Sequence, residues 1–258
     1  DLSTFDGGLL TTKLLCQKIK EGGVTVLLLG EGADELFGGY SWFGLSQLPF
    51  SAMPSICRSA LYYYAISRNV TFDFSRHCSF WHRIMVESAG GSDLFRMISA
   101  IELTKQLPNH LLMKVDKGSM AASVEARVPF LDHKLVEFVY SLPAAYKIKG
   151  NWTNLKGANE KYILREVAKR YLPPQTTHQK KRGFMLPMKD VLESNLDKVR
   201  SYAYAGDSLV SRIIPKKSLD SIFNKSSFPW LRMQREYLLW RIFLLEVWYK
   251  NYVQKNYF

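Results

Sequence analysis

Residues 24–40 read VTVLLLGEGADELFGGY, and the fold turns on how this stretch is parsed. Val24 to Leu29 are apolar apart from Thr25, six residues in length, and follow directly on Gly22-Gly23. That pattern predicts a strand buried on both faces of a parallel sheet. Upstream, TTKLLCQKIKEGG places Leu14, Leu15 and Ile19 at helical spacing, and the two glycines supply helix-ending chemistry. A helix, a glycine turn and a buried strand make half of a βαβ unit. Three acids (Glu31, Asp34, Glu35) and four glycines then crowd into the ten residues 30–39. In a parallel sheet, ligands bind beyond the carboxyl ends of the strands, which is where GEGADE stands.

The chemistry of that position is restrictive. Gly30 and Gly32 allow close backbone approach and positive φ. Three neighbouring carboxylates repel one another unless a cation or an amine joins them. Magnesium prefers one or two carboxylates together with phosphate oxygens, a set this turn offers to a nucleoside triphosphate. Acids in a first helical turn also simply complement the helix dipole, but that reading leaves FGGY, two residues on, unexplained.

Away from this stretch the chain is helical in pattern. SICRSALYYYAISR, DLFRMISAIELTKQL and KLVEFVYSL repeat apolar residues at three- and four-residue spacing. Residues 159–172, NEKYILREVAKRYL, predict an amphipathic helix capped by Asn159 and ended by Pro173-Pro174. WLRMQREYLLWRIFLLEVWYKNYV predicts a long aromatic helix whose recurring charges argue against a membrane anchor. No repeat or low-complexity linker interrupts the chain. The expected fold class is therefore α/β, with residues 1–45 ending the sheet-bearing site and 46–258 mainly helical, all in one domain.

Bulk properties narrow the function classes. Of 258 residues, 47% are hydrophobic, enough for a sizeable core. No apolar run approaches the roughly 20 residues of a membrane span. The opening DLSTFDGG lacks the basic-then-apolar pattern of a secretory leader, and Cys16, Cys57 and Cys78 are dispersed with no CxxC spacing. A cytoplasmic protein with free thiols is expected. The net charge of +12 suits an anionic ligand such as a nucleotide, and no nucleic-acid motif accompanies it.

The stretch GEGADELFGGY resembles the signature of the asparagine synthase family in its ATP-dependent synthetase domain. Further blocks match in order: VDKGSMAASVEARVPFLDHKLVEF (115–138), EKYILREVAKRYLP (160–173), KRGFMLP (181–187) and LLWRIFLLEVW. The resemblance implies an adenine-nucleotide-binding, ATP-pyrophosphatase-like fold and a carbon–nitrogen ligase. ATP adenylates a carboxylate, by default aspartate, and ammonia or another amine displaces AMP to form an amide. It implies Asp34 as the magnesium ligand, Glu31 as acceptor of the amine's proton, and Lys161 facing the pyrophosphate or developing charge. Leu29, Gly30, Gly32 and Lys181 would line the nucleotide. A second class of reading keeps the fold as a non-catalytic scaffold.

The chain also departs from that pattern. The family's Ser-Gly-Gly-x-Asp-Ser pyrophosphate loop and its glutaminase domain are expected upstream or on a separate chain. Ser88–Phe95, SAGGSDLF, imitates the loop but comes after GEGADE and follows a helical pattern. Leu29 replaces a common Ser and His110 a common Asp, while Lys117 for Arg is conservative. Glu125 and Arg127 are expected to form a buried ion pair, and Asp116 and Asp132 to act as caps or turn residues.

Overall fold

In the computed structural model, residues 7–47, 57, 83, 93–150, 160–177, 187–224 and 229–254 are described. The predicted opening is present: helix α1 (Gly8–Glu21) stops at Gly22 and Gly23, the latter at φ 81°, and strand β1 (Val26–Leu28) follows. A conformation at φ 81° is one that glycine adopts without penalty. Strand β2 (Glu125–Arg127) pairs with β1 in parallel, with Val26 opposite Glu125 and Leu28 opposite Arg127. Glu125 N–H to Thr25 O and Leu29 N–H to Arg127 O, both 2.8 Å, extend the ladder at each end.

Two expectations about this sheet are corrected. The strand covers three residues, and it is not buried on both faces: Val26 and Leu28 are 41% and 67% exposed. Among the described residues only β2 pairs with β1, and nothing covers the face carrying Val26 and Leu28. The Glu125–Arg127 pair is likewise exposed on both side chains. On a short strand those two residues lie on one face, so they reach each other in solvent.

The described residues gather into two compact units, one within Cys16–Gly183 and the other within Asp1–Leu15 plus Phe184–Phe258. In the first, helix α2 (Ala33–Phe37) follows the sheet directly. Leu36 and Phe37 from α2 pack with Val139, Phe130, Leu135, Ile163 and Leu164. A second cluster joins Phe43, Phe95, Met97, Ile98, Ile101 and Ile148. The Leu94–Ile101 helix begins at Asp93, whose side chain caps Phe95 N–H, and continues as a π-helix over Glu102–Leu112. Pro108 lies within that π stretch and has no N–H to give a regular ladder. Asp93 thus caps a helix, while Ser88–Ser92 of the imitation loop lie outside the described residues.

Asp132 caps the His133–Ser141 helix as expected, accepting from Lys134 and Leu135 N–H. Asp116 instead sits in the first turn of the Met113–Met120 helix, continuous with the preceding π-helix. The helix expected from Asn159 is shorter, Tyr162–Ala168, and its cap position is Lys161; Asn159 is outside the described residues.

In the other unit the long helix Pro229–Trp248 packs Leu239, Trp240 and Ile242 against Leu192, Val199, Val210, Leu219 and Phe223. Its buried Glu246 accepts from Ser208 Oγ at 2.8 Å and Val210 N–H at 2.6 Å, tying this helix to the start of Leu209–Ile213. Among the described residues no helix is long and apolar enough to cross a membrane.

Candidate functional site

The turn after β1 builds the site. Gly32 takes φ 92°, and a Cβ there would overlap Leu131 Cδ2, so the residue at the start of α2 is glycine for two independent reasons. Gly38 ends α2 at φ 71°, and a Cβ on it would press on Phe95 and Ile148. A Cβ on Gly39 would overlap Asp34 Oδ1 and Lys161 Cε. The backbone N–H groups of Gly38 and Gly39 both bond to Asp34 O, the latter at 2.8 Å. FGGY therefore folds the chain back flush against Asp34.

Lys161 reaches this turn from a distant part of the chain. Its backbone is left-handed, φ 55° and ψ 37°, a conformation that costs a non-glycine residue about 1 kcal/mol or more. Its N–H bonds to Phe37 O at 3.3 Å, and its Nζ lies 2.9 Å from Asp34 Oδ1. Both side chains are about one-fifth exposed. Strained backbone held by a contact to the glycine turn aims this ammonium at Asp34. Gly30 is exposed with open space at its Cα, Glu31 is half-buried, and Leu29 is half-buried in the extended ladder.

The third acid turns inward. Glu35 is buried, its Oε1 accepting from the Tyr40 hydroxyl, while Ser99 Oγ bonds to its backbone carbonyl at 2.8 Å. Burial pushes the Glu35 carboxyl up from its ordinary range; the Tyr40 hydrogen bond opposes this, and the nearby charges of Asp34 and Glu31 add to it. Tyr40 stacks on Trp42 at 4.5 Å, and Trp42 Nε1 donates to buried Glu102 Oε1 at 2.9 Å. The three carboxylates are thus divided: one paired with a lysine, one held by a tyrosine in the interior, one half-buried at the mouth.

The structure brings Gly30, Glu31, Gly32, Asp34 and Lys161 to one place. Lys181 and the whole of His178–Phe184 lie outside the described residues. His110 is half-buried on the π-helix. Sequence reasoning did not select Tyr40, Ser99, Trp42 or Glu102. The FGGY motif was a signal for Tyr40, five residues after Glu35, but nothing local pairs Trp42 with Glu102. Among the described residues no group of three His, Cys, Asp or Glu could enclose a metal ion. The donor set at Asp34 fits magnesium only in the mode in which phosphate oxygens complete the shell.

Comparison with known proteins identifies the family. Residues 3–250 match the family described as Asparagine synthase. The chain is 25% identical over 281 aligned positions to asparagine synthetase [glutamine-hydrolyzing] 1 of Bacillus subtilis, covering 91% of this chain and 42% of that protein. It is 27% identical to asparagine synthetase [glutamine-hydrolyzing] 3 of the same organism, covering 92% and 40%. Asparagine synthetase B [glutamine-hydrolyzing] of Escherichia coli is 27% identical over 171 positions, 66% of this chain and 22% of that protein. The chain spans about two-fifths of the length of the Bacillus relatives it matches.

Proposed function

The chain belongs to the asparagine synthase family, and from that premise we propose that it carries the synthetase site of an ATP-dependent carbon–nitrogen ligase. The observation that supports this best is the Asp34–Lys161 pair, 2.9 Å apart across the glycine turn at the end of a parallel strand. In this reading the whole of residues 1–258 is one synthetase domain with an ATP-pyrophosphatase-like fold.

The chemistry divides into two displacements. A substrate carboxylate oxygen, by default that of aspartate, attacks the α-phosphorus of ATP and pyrophosphate leaves. The nitrogen of ammonia or another amine then attacks the acyl carbon, AMP leaves, and an amide remains. Glu31, at the mouth of the turn, accepts the proton that the attacking amine must lose. Lys161 stabilises negative charge on the phosphates as it develops, and its fixed backbone means little reorganisation is needed at that moment. Magnesium, held at Asp34 and completed by phosphate oxygens, would neutralise phosphate charge when bound. With nucleotide present, Lys161 shifts its partner from Asp34 toward phosphate. Gly30 and Gly32 let the backbone lie close to the adenylate, with Leu29 and Lys181 flanking it.

A pyrophosphate-binding loop and a glutaminase supplying ammonia would come from a segment or chain beyond these 258 residues. Among the described residues nothing covers the Val26 and Leu28 face, which leaves room for such an added element, as parallel strands are normally covered on both faces.

The test is AMP release from ATP with magnesium, aspartate and ammonium, by the 258-residue chain and by the chain supplemented with fractions of its source lysate. Activity that Asp34→Asn and Glu31→Ala abolish, in either form, supports the reading. No AMP in either form favours a scaffold that keeps the family fold. Wild-type AMP release by Asp34→Asn would refute the metal assignment.

A further inference from the structure

The C-terminal unit carries a cleft of about 590 Å³ whose residues play no part in the site above. That volume is in the range of small-molecule sites. Its floor is Phe223, 4% exposed, against whose ring Tyr204 packs at 5.5 Å between centroids. The Tyr204 hydroxyl donates to Asp220 Oδ1. Partial burial and that bond push the tyrosine up to about 12, so it remains a donor and holds the aspartate side chain in one orientation.

Arg200 faces this floor. Its guanidinium carbon stands 5.3 Å from the centre of the Phe223 ring, a cation–π arrangement. Among the described residues its guanidinium makes no hydrogen bond or ion pair, although Asp197 stands one turn away on the same helix, Leu196–Ala203. Asp197 and the Asn224 side chain also have no hydrogen bond among the described residues, and both line the cleft. A surface arginine beside two carboxylates usually pairs with one of them. Here groups of both signs line one cleft over an aromatic floor, and of their polar atoms Asp220 Oδ1 is taken up by Tyr204.

We propose that this cleft is a binding site for a free α-amino acid, its carboxylate on Arg200 and Asn224 and its ammonium between Asp197 and Asp220. The Phe223 ring lies beneath the carbon skeleton. Two carboxylates against one guanidinium favour a dipolar ligand over a dianion such as a nucleotide, and a guanidinium fork matches a carboxylate in two-point geometry. The inference rests on this cleft alone and stands or falls independently of the synthetase reading.

Isothermal titration of the 258-residue chain with L-asparagine, L-glutamine and L-leucine tests it. At least one of the three should bind saturably in the millimolar range. For that amino acid, the N-acetylated and carboxamide forms, each lacking one charge, should bind at least ~10-fold more weakly. Arg200→Gln and Asp220→Asn should each weaken binding by at least ~10-fold while leaving the thermal melt near wild type, since both residues are exposed. The same titration on Lys161→Ala separates this site from the synthetase site, and there the affinity should be unchanged. Absence of saturable binding by all three amino acids overturns the proposal. So does equal binding of the blocked forms, unchanged affinity in both cleft variants, or loss of binding in Lys161→Ala alone.

Discussion

Two ion pairs in this chain differ in a way that distance alone does not explain. Arg127 Nε lies 2.6 Å from Glu125 Oε1, and Lys161 Nζ lies 2.9 Å from Asp34 Oδ1. The shorter pair joins residues two apart on one strand, with side chains 61% and 55% exposed. The longer pair joins two distant segments, is about one-fifth exposed, and lies against Gly39, where a Cβ would overlap both side chains. Water competes for the first pair and screens it, whereas backbone geometry on both sides fixes the second. What an ion pair contributes follows from how its groups are anchored and desolvated, more than from its length.

The largest effect is expected where that anchoring is broken. Gly39→Ala would drive a methyl into Asp34 Oδ1 and Lys161 Cε, so one of the two must move. A displacement of about 1 Å in a positioned group costs on the order of 100-fold in rate. AMP release should therefore fall by about that factor or more. The cost in stability should be small, because the atoms the methyl meets are the ends of two side chains that can move. Unchanged turnover in Gly39→Ala would show that the Asp34–Lys161 geometry is not the working one.

The comparison sharpens at a third charge that has no ion-pair partner among the described residues. Lys147 is fully buried, its Nζ 4.8 Å from the Phe95 ring centre, and that nitrogen makes no hydrogen bond among the described residues. Burial, with the charge of Arg96 adding, lowers its pKa from 10.5 to about 8, while Asp93 opposes the change. A depressed folded pKa means that the penalty for burying the ammonium is absent above pH 10.5 and fully present below about pH 8. Lys147→Met should therefore stabilise the protein at pH 7 by up to about 3 kcal/mol, less what the aromatic contacts give back. The gain should shrink as pH rises from 8 to 10.5. Thermal melts of both proteins across that interval measure it, and a gain independent of pH would mean that charge burial is not its cause.

Glu35 is the acidic counterpart and should give a smaller effect. Its folded pKa is raised, chiefly by burial, so the carboxyl contributes stability at low pH that is lost as pH rises from 4.5 through the raised value. Glu35→Gln keeps an oxygen that can accept from Tyr40 and removes the charge. Its melting temperature should match wild type near pH 4.5 and exceed it increasingly toward neutrality, by less than the Lys147→Met gain. Equal melting temperatures at pH 7 would mean that the Tyr40 hydrogen bond offsets the burial.

Local sequence carried much of this arrangement and missed the rest for physical reasons. Helix α1, the glycine turn, the Asp132 cap and the long C-terminal helix depend on near neighbours and were legible in spacing and cap chemistry. The family resemblance names Glu31, Asp34 and Lys161, and the structure adds the left-handed backbone from which the lysine reaches Asp34. Burial of β1 was misjudged because an apolar run reports what a strand could bury, and only other elements decide whether it is covered. The same holds for Glu125 and Arg127, whose sequence context says nothing of solvent. Lys147 and Glu102 gave no sequence signal, since a lysine in YKIK reads as a surface residue and the Trp42–Glu102 bond joins segments sixty residues apart.

The smallest effect closes the comparison and is the strictest check on it. Glu125 sits below the usual carboxylate range, and Arg127 above its own, because of their mutual hydrogen bond and charge. Both groups are largely open to solvent, so the bond they make replaces one that each would make to water. Glu125→Gln removes the charge and leaves the β1–β2 ladder untouched, because every backbone bond of that pairing is made by N–H and C=O groups. Its melting temperature at neutral pH should match wild type within error, at both low and high salt. A clear loss of stability, largest at low salt, would show that the exposed 2.6 Å contact does what the anchored 2.9 Å contact is argued to do. In that case distance, not anchoring, would rank the two pairs.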